Sequence, residues 1–269
     1  YLDTLALNYG AGIHLLDFVR DPEGSRNMIN NWVSEQTEER IEDLIPRGII
    51  DGLTRLVLTN AIYFNAAWEY PFEESWTEPG QFKLLTGDQV EVPMMKQVKG
   101  FGYHSGVGYQ AVELPYSGRE LSMVMIVPDL EGFDDFESSM NQEFVASVID
   151  GLEQRQIVLK MPKFEIEEQL WLAKTLGAMG MPEAFSMEAD FSGMDGTKDL
   201  FIKDVVHQAF VSVDEAGTEA AAATAVIMAL KAAPMEEPVE LNIDRPFIFL
   251  IRDIETDTIL FLGRVVDPR

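Results

Sequence analysis

The sequence predicts an α+β fold with large antiparallel or mixed β-sheets. Beyond residue 55, apolar runs rich in β-branched and aromatic residues outnumber the segments with helical periodicity. Residues typical of turns separate these runs, as in Tyr116-Ser117-Gly118. The 269 residues are 46% apolar and 10% aromatic, which suffices for a large core in one large domain or two ordinary ones.

The first element that the pattern predicts is a surface helix from Pro22 to Gln36. Asp21 can cap its start, and a proline suits the first helical turn. Four apolar residues fall on one face of this helix and predict which side is buried: Met28, Ile29, Trp32 and Val33.

Strands are predicted over most of the remaining chain. The nearly continuous apolar run at 55–64 is typical of a central strand that is covered on both faces. Further strands are predicted at 110–115, 121–128 and 156–160, and a closing hairpin at 247–252 and 258–265. Helices are predicted at 134–152 and 168–177.

Charge excludes two classes of partner. The chain has 46 acidic and 20 basic residues, a formal net charge of −26. Such a surface repels the phosphates of nucleic acids and the anionic lipids of membranes, and no apolar stretch approaches the roughly 20 residues of a spanning helix. We therefore expect no nucleic acid and no membrane partner. The absence of cysteine removes disulfides and thiolate chemistry but leaves the compartment open.

The sequence contains no recognisable motif for catalysis, metal binding or cofactor binding. His14, His104 and His207 lack the spacing of a metal site, and no nucleophile elbow or phosphate-binding glycine loop is found. Carboxylates are so numerous that a pair for hydrolysis cannot be selected. We expect no metal, no cofactor and no enzyme activity; a hydrolase with dispersed carboxylates is the weakest alternative.

The alanine-rich segment at 214–234 allows two interpretations. Its propensity predicts a helix, which would have to be buried on nearly every side because it lacks a polar stripe. Alternatively, the even-numbered residues from Thr218 to Met228 are small or apolar, as a strand requires if it slides between two existing strands. Periodicity alone favours the helix and leaves the strand open.

This segment resembles the hinge of inhibitory serpins, the protease inhibitors that insert their own reactive loop. The matching pattern is Glu215-x-Gly217-Thr218-x-Ala220-Ala221-Ala222-Ala223-Thr224. Three other parts of the chain also resemble the family: LNIDRPFIFL at 241–250 with FLGRVVDP at 261–268, LTNAIYFNAAWEYPF at 58–72, and VPMMK at 92–96. Ala216 is a departure, since the family often has a charged residue there.

The resemblance implies the serpin fold, a large central mixed or antiparallel β-sheet with further β-sheets, surrounding helices and a mobile reactive-centre loop. Residues 1–269 would form a single monomeric serpin domain, with the hinge and reactive loop at 215–234. The helix at Pro22 resembles the one that crosses the family's main sheet. We therefore expect the family's N-terminal helices in a further segment of the same protein, in this or a separate chain.

The implied activity is inhibition of a serine protease through a covalent acyl complex, followed by insertion of the cleaved loop. The family's loop spacing places the reactive bond at Lys231-Ala232, and a basic residue there favours trypsin-like enzymes. Cleavage after Leu230 or Met228 would redirect the inhibitor to chymotrypsin-like or elastase-like enzymes. The alternative function is that of a non-inhibitory chaperone, carrier or storage protein of the same fold.

The resemblance also implies roles for individual residues. Glu215, Gly217 and Thr218 form the hinge where insertion starts, glycine because the backbone must swing and threonine as the first inward side chain. The small residues that follow would meet little steric resistance: Ala220, Ala221, Ala222, Ala223 and Thr224.

Four residues outside the loop match positions that control the opening of the family's main sheet. Asn60 and His207 would share a hydrogen bond beneath the opening point. Lys163 would form a salt bridge with Glu215 at the top of the sheet, near Trp68.

Overall fold

Strands predominate in the structure, a computed structural model that describes residue 7 and residues 14–218 and 237–269. The predicted α+β class is confirmed. The chain divides into a first unit, Tyr1–Tyr63 with Glu167–Phe210, and a second unit, Phe64–Ile166 with Val211–Arg269. In the ranges described, no helix combines the length and apolarity needed to cross a membrane.

The described helices are α1 Pro22–Gln36, α2 Phe133–Ser139, α3 Gln142–Asp150, α4 Ala173–Ala178 and α5 Ser192–Asp195, with short 3-10 helices at Glu74–Trp76 and Glu183–Phe185. The described strands are β1 Leu58–Tyr63, β2 Ala66–Ala67, β3 Glu78–Lys83, β4 Gln89–Gly106, β5 Tyr109–Pro115, β6 Leu121–Pro128, β7 Glu153–Pro162, β8 Phe164–Trp171, β9 Val205–Val213, β10 Gly217–Thr218, β11 Val239–Asn242, β12 Phe247–Asp253 and β13 Ile259–Val265.

In the first unit, β1 runs parallel to β9, and β8 also pairs with β9. Helix α1 has the predicted bounds, and Asp21 caps it by accepting a hydrogen bond from the backbone of Gly24 at 2.9 Å. Its Val33 belongs to a buried apolar cluster, whose other members are Ile41, Leu44, Ile45, Ile50, Val206 and Phe210. This cluster ties α1 to β9 and to the segment that follows the helix.

The predicted buried face of α1 is only partly right. Met28 and Trp32 are exposed, whereas Arg26 and Asn30 are buried. Both buried polar side chains donate hydrogen bonds to the carbonyl of Ile45, at 3.1 and 3.0 Å. Apolar periodicity could not reveal this, because the helix is anchored through a backbone carbonyl as well as through apolar contacts.

Two further predictions for the first unit need correction. Strand β1 is not covered on both faces, since Leu58 and Asn60 are exposed while Ala61 and Tyr63 pack against the apolar cluster. The helix predicted at 168–177 begins only at Ala173, because the residues before it continue β8. Pairing of β8 with β9 overrides local helix propensity there.

The second unit contains an eight-stranded sheet with the strand order β11-β7-β4-β5-β6-β12-β13, and β3 also pairs with β4. Its pairs are antiparallel except for β11 with β7. The predicted strands at 110–115 and 121–128 and the closing hairpin are present. The helix predicted at 134–152 is interrupted at Met140, and Asn141 caps the second part by accepting from Phe144.

Candidate functional site

Two residues of the alanine-rich segment that resembles the hinge form a short strand, β10, in the second unit. Gly217 and Thr218 pair antiparallel with Ala67 and Ala66 of β2, and Thr218 also pairs with Val213 of β9. The chain enters β10 through a tight turn, because the Asp214 carboxylate accepts from the backbone N–H groups at positions 216 and 217, at 2.8 and 3.1 Å. Part of the segment that resembles the hinge therefore lies inside a sheet.

Gly217 lies against the backbone of β2. A Cβ atom at this position would stand 2.3 Å from the carbonyl oxygen of Ala66 and 2.7 Å from the Cα atom of Ala67. No side chain fits at such distances, and backbone atoms cannot move aside cheaply. Close approach is thus a sufficient reason for glycine here, in addition to the freedom that we expected a hinge to need.

Thr218 is buried completely and is hydrogen-bonded to a buried tyrosine. Its Oγ1 atom lies 2.8 Å from the hydroxyl oxygen of Tyr116. The Tyr116 ring stacks on Trp68, with 4.7 Å between ring centres. Burial raises the pKa of Tyr116, so the hydroxyl remains protonated and available for this bond. The sequence predicts only a turn at Tyr116, and no local pattern reveals this contact.

Trp68 reaches the same turn from the other side. Its indole Nε1 donates to the carbonyl oxygen of Asp214 at 3.0 Å, and its backbone N–H donates to Ala216 at 2.9 Å. The side chain is buried. Trp68 therefore contacts the entry to the hinge directly, which is more than the predicted position near the top of the sheet.

Glu215, immediately before this hinge strand, is buried and paired with a cation. Lys163 forms an ion pair with its carboxylate, and Thr77 Oγ1 donates to Oε1 at 2.6 Å. Burial raises the pKa of Glu215, but the Lys163 and Thr77 hydrogen bonds outweigh it, so the pKa is lowered overall. The contact between Lys163 and Glu215 is the one that the resemblance implied, whereas Thr77 had no signal in the sequence.

In the first unit, Asn60 and His207 are directly opposite each other on the parallel strands β1 and β9. The imidazole Nδ1 donates to Asn60 Oδ1 over 2.8 Å. This hydrogen bond links the two strands through side chains. Its role in strand separation stays a prediction.

The other predicted site residues lie outside the described residues. These are the reactive bond at Lys231 and Ala232, the alternatives Leu230 and Met228, and the small residues Ala220, Ala221, Ala222, Ala223 and Thr224. The described ranges contain no group of three or more His, Asp and Glu residues placed to hold a metal ion. His104 donates a structural hydrogen bond from Nδ1 to the Gly151 carbonyl oxygen, 3.1 Å away.

Comparison with known proteins gives one consistent family. The model of the family described as Serpin (serine protease inhibitor) matches residues 1–268. Leukocyte elastase inhibitor A of Mus musculus is 42% identical over 278 residues, which cover 100% of this chain and 73% of that protein.

Solved structures agree with this result. Uncleaved ovalbumin superposes with a TM-score of 0.89 at 30% identity, over 100% of this chain and 69% of that chain. Serpin48 of the insect Tenebrio molitor superposes with a TM-score of 0.88 at 33% identity, over 100% of this chain and 71% of that chain. The fold implied by the sequence motifs is therefore the fold of these structures.

Proposed function

This chain belongs to the serpin (serine protease inhibitor) family, and we propose that it inhibits a serine protease as a suicide substrate, by inserting its cleaved reactive loop into a sheet. The protease serine attacks the carbonyl carbon of the scissile residue. The peptide C–N bond breaks, the new amine takes a proton from the protease histidine, and an ester joins the two proteins. Insertion then distorts the active site of the protease, so the protease can no longer hydrolyse the ester.

The observation that carries the proposal is that part of the predicted hinge is already a buried strand. Thr218 is buried in a strand that lies between β2 and β9, and its side chain already has a hydrogen-bond partner. The residues that follow it at 220–224 are small, so continuing this strand requires no large side chain to enter the sheet. We infer that insertion extends β10 residue by residue. At roughly 3.3 Å per residue, extension from residue 218 as far as residue 231 carries the bound protease on the order of 40 Å.

We propose Lys231-Ala232 as the reactive bond and a trypsin-like enzyme as the target. A lysine before the scissile bond fits a specificity pocket with an acidic base. The mouse relative is named as an elastase inhibitor, and Met228 or Leu230 would suit an enzyme of that kind better. The bond that is cut therefore decides the target class.

The remaining roles belong to the same proposal. Residues 1–269 form part of a single monomeric serpin domain, with the hinge and reactive loop at 215–234. The contacts of Trp68 and Lys163 with the hinge entry hold β10 in place until the loop is cut, and the Asn60–His207 bond resists separation of β1 from β9. A non-inhibitory role as chaperone, carrier or storage protein is not favoured by the inhibitor names of the relatives.

Incubation with trypsin, chymotrypsin and elastase, followed by denaturing electrophoresis, tests this function. We expect a covalent complex with trypsin, and the mass of the released C-terminal peptide should show that it begins at Ala232. If a complex forms only with elastase or chymotrypsin and the released peptide begins at another residue, the reactive bond is not Lys231-Ala232. If none of the three enzymes forms a covalent complex, whether or not it cuts the loop, the result would contradict inhibition and support the non-inhibitory function.

A matched pair of variants separates trapping from simple cleavage. Thr218→Arg places a long charged side chain in the completely buried position of β10, so we expect the loop to be cut while the protease escapes. Thr218→Ser keeps the hydroxyl and should trap like the original protein. Equal trapping by the arginine variant would contradict insertion through this hinge.

A further inference from the structure

A concavity of about 670 Å³ lies in the second unit. It is lined by residues of β3, β4, β7 and the end of β11. At Lys96 and Val98 the lining residues of β4 alternate with buried ones, since Met95 and Gln97 are buried. The concavity therefore lies on the more exposed face of β4 there, and the core residue Met94 also lines it.

Two lysines stand directly opposite each other on this face. Lys96 of β4 pairs in register with Lys160 of β7. Cβ atoms of such a pair are about 5 Å apart, and like charges in this arrangement destabilise the sheet. Among the described residues, neither ammonium group has a carboxylate within ion-pair distance. Adjacent cations without such a partner are unexpected in a chain with a net charge of −26.

The carboxylates nearest this row are paired elsewhere or lie in a neighbouring row, as Glu240 of β11 does opposite Val158. Asp244 also lines the concavity, but Arg245 holds its carboxylate at 3.0 Å. Glu78 lies one row further along the sheet, opposite Met94 rather than opposite Lys96. Asn242, directly opposite Lys160 on β11, adds an exposed side-chain amide that can donate to an anion.

The walls are partly apolar. Trp76 lines the concavity with about half of its surface exposed, and Val98 and Met94 lie on the same face of β4. The backbone N–H of Lys83 in β3 donates to the carbonyl of Asp244 at 2.8 Å, which links β3 to the segment after β11. A volume of this size matches pockets that enclose small organic molecules and exceeds what one inorganic ion needs.

We propose that this concavity binds a small organic anion, in which a carboxylate, sulfate or sulfonate group is attached to a flat apolar body. The anionic group binds between the ammonium groups of Lys96 and Lys160 and accepts from Asn242, because charge-assisted hydrogen bonds compensate the like-charge repulsion. The apolar body packs on the Trp76 indole. This site uses strands β4 and β7 and does not depend on the reactive loop.

The test is a titration of the full chain with the fluorescent sulfonate 8-anilinonaphthalene-1-sulfonate. We expect saturable binding at one site per chain, with energy transfer from tryptophan that decreases in Trp76→Phe. Lys160→Glu and Lys96→Glu should each weaken binding by about tenfold or more. The matched control Lys174→Glu changes an exposed lysine of α4 by the same charge and should bind like the original protein.

A neutral dye separates charge from general apolar binding. N-phenyl-1-naphthylamine has the same aromatic body without the sulfonate, so we expect it to bind more weakly and with no difference between Lys160→Glu and Lys174→Glu. Should Lys160→Glu lower the thermal midpoint, the milder pair Lys96→Gln and Lys160→Gln replaces it. Equal loss of sulfonate binding in the Lys174 control, or equal affinity for the neutral dye, would overturn the proposal.

Discussion

Thr218 and Tyr116 form a buried hydrogen bond at the point where the loop would begin to insert. Both side chains are shielded from water, and the two oxygen atoms lie 2.8 Å apart. Such a pair stabilises the native strand only as long as both partners are present, since a single buried hydroxyl without a partner is costly. The hydrogen bond is therefore part of what positions β10.

Tyr116→Phe and Thr218→Val should each lower the free energy of unfolding by about 1–3 kcal/mol, because each leaves the other hydroxyl buried without a partner. The double variant should lose clearly less than the sum, since it removes both hydroxyls and keeps the shape. Urea denaturation of the four proteins measures this coupling. Strictly additive losses would show that the hydrogen bond contributes nothing.

The Glu215–Lys163 ion pair makes a second prediction, which concerns pH. The pKa of Glu215 is lowered in the folded protein from its ordinary 4.5, so the pair stabilises the fold above that pH and loses its effect as the pH falls through the folded value. Lys163→Met removes the cation and should cost about 1–2 kcal/mol at pH 7, since Lys163 is partly in water.

The difference between Lys163→Met and the original protein should shrink as the pH of the thermal-unfolding measurement falls below 4.5 and through the lowered pKa of Glu215, because the carboxyl then becomes protonated in both proteins. Lys163→Arg keeps the positive charge and serves as the control. A difference that persists unchanged at low pH would assign the loss to packing of the lysine stem instead.

At the scale of single elements, β10 depends on the contact between Gly217 and the backbone of β2. Gly217→Ala should lower the free energy of unfolding by about 1–3 kcal/mol, because its Cβ would overlap Ala66 and Ala67. It should also speed hydrogen exchange at the Trp68 amide, which bonds to the residue before Gly217.

Gly193→Ala is the matched control, because a Cβ there has no atom within 4 Å. We expect it to change stability by no more than about 0.5 kcal/mol. A thermal midpoint for Gly217→Ala equal to that of this control would contradict the close approach of β10 to β2.

Comparison of the predicted and observed helices and strands shows which of them local sequence patterns can predict. Helix α1 and strands β5, β6, β12 and β13 were predicted because strong periodicity, caps and turns agree there with the final packing. The end of β8, residues 168–171, is predicted as helix because its pairing with β9 depends on residues far away in the chain. The exposure of Leu58 in β1 was missed because an apolar run does not reveal which layers cover a strand.

The residues of the candidate site also fall into those that the sequence predicts and those that it does not. Glu215, Lys163, Asn60 and His207 could be paired in advance only because motifs of the family identify their positions. Tyr116 and Thr77 could not, since nothing local distinguishes them from an ordinary turn tyrosine and loop threonine. Their roles arise from tertiary contacts with Thr218 and Glu215, which no spacing rule in a single sequence encodes.

At the scale of the whole molecule, the proposed mechanism requires a native state that is not the most stable arrangement of the chain. Strand β10 and the small residues that follow it would supply an additional strand once the loop is cut. Such an insertion would add backbone hydrogen bonds and bury apolar side chains.

The thermal stability of the protein before and after cleavage within residues 219–236 tests this claim most directly. A protease that cuts the loop without being trapped supplies the cleaved form, and scanning calorimetry compares it with the intact protein. We predict that cleavage raises the midpoint by more than about 10 °C, equivalent to roughly 3–5 kcal/mol for a domain of this size. An unchanged or lower midpoint after cleavage would contradict insertion of the loop.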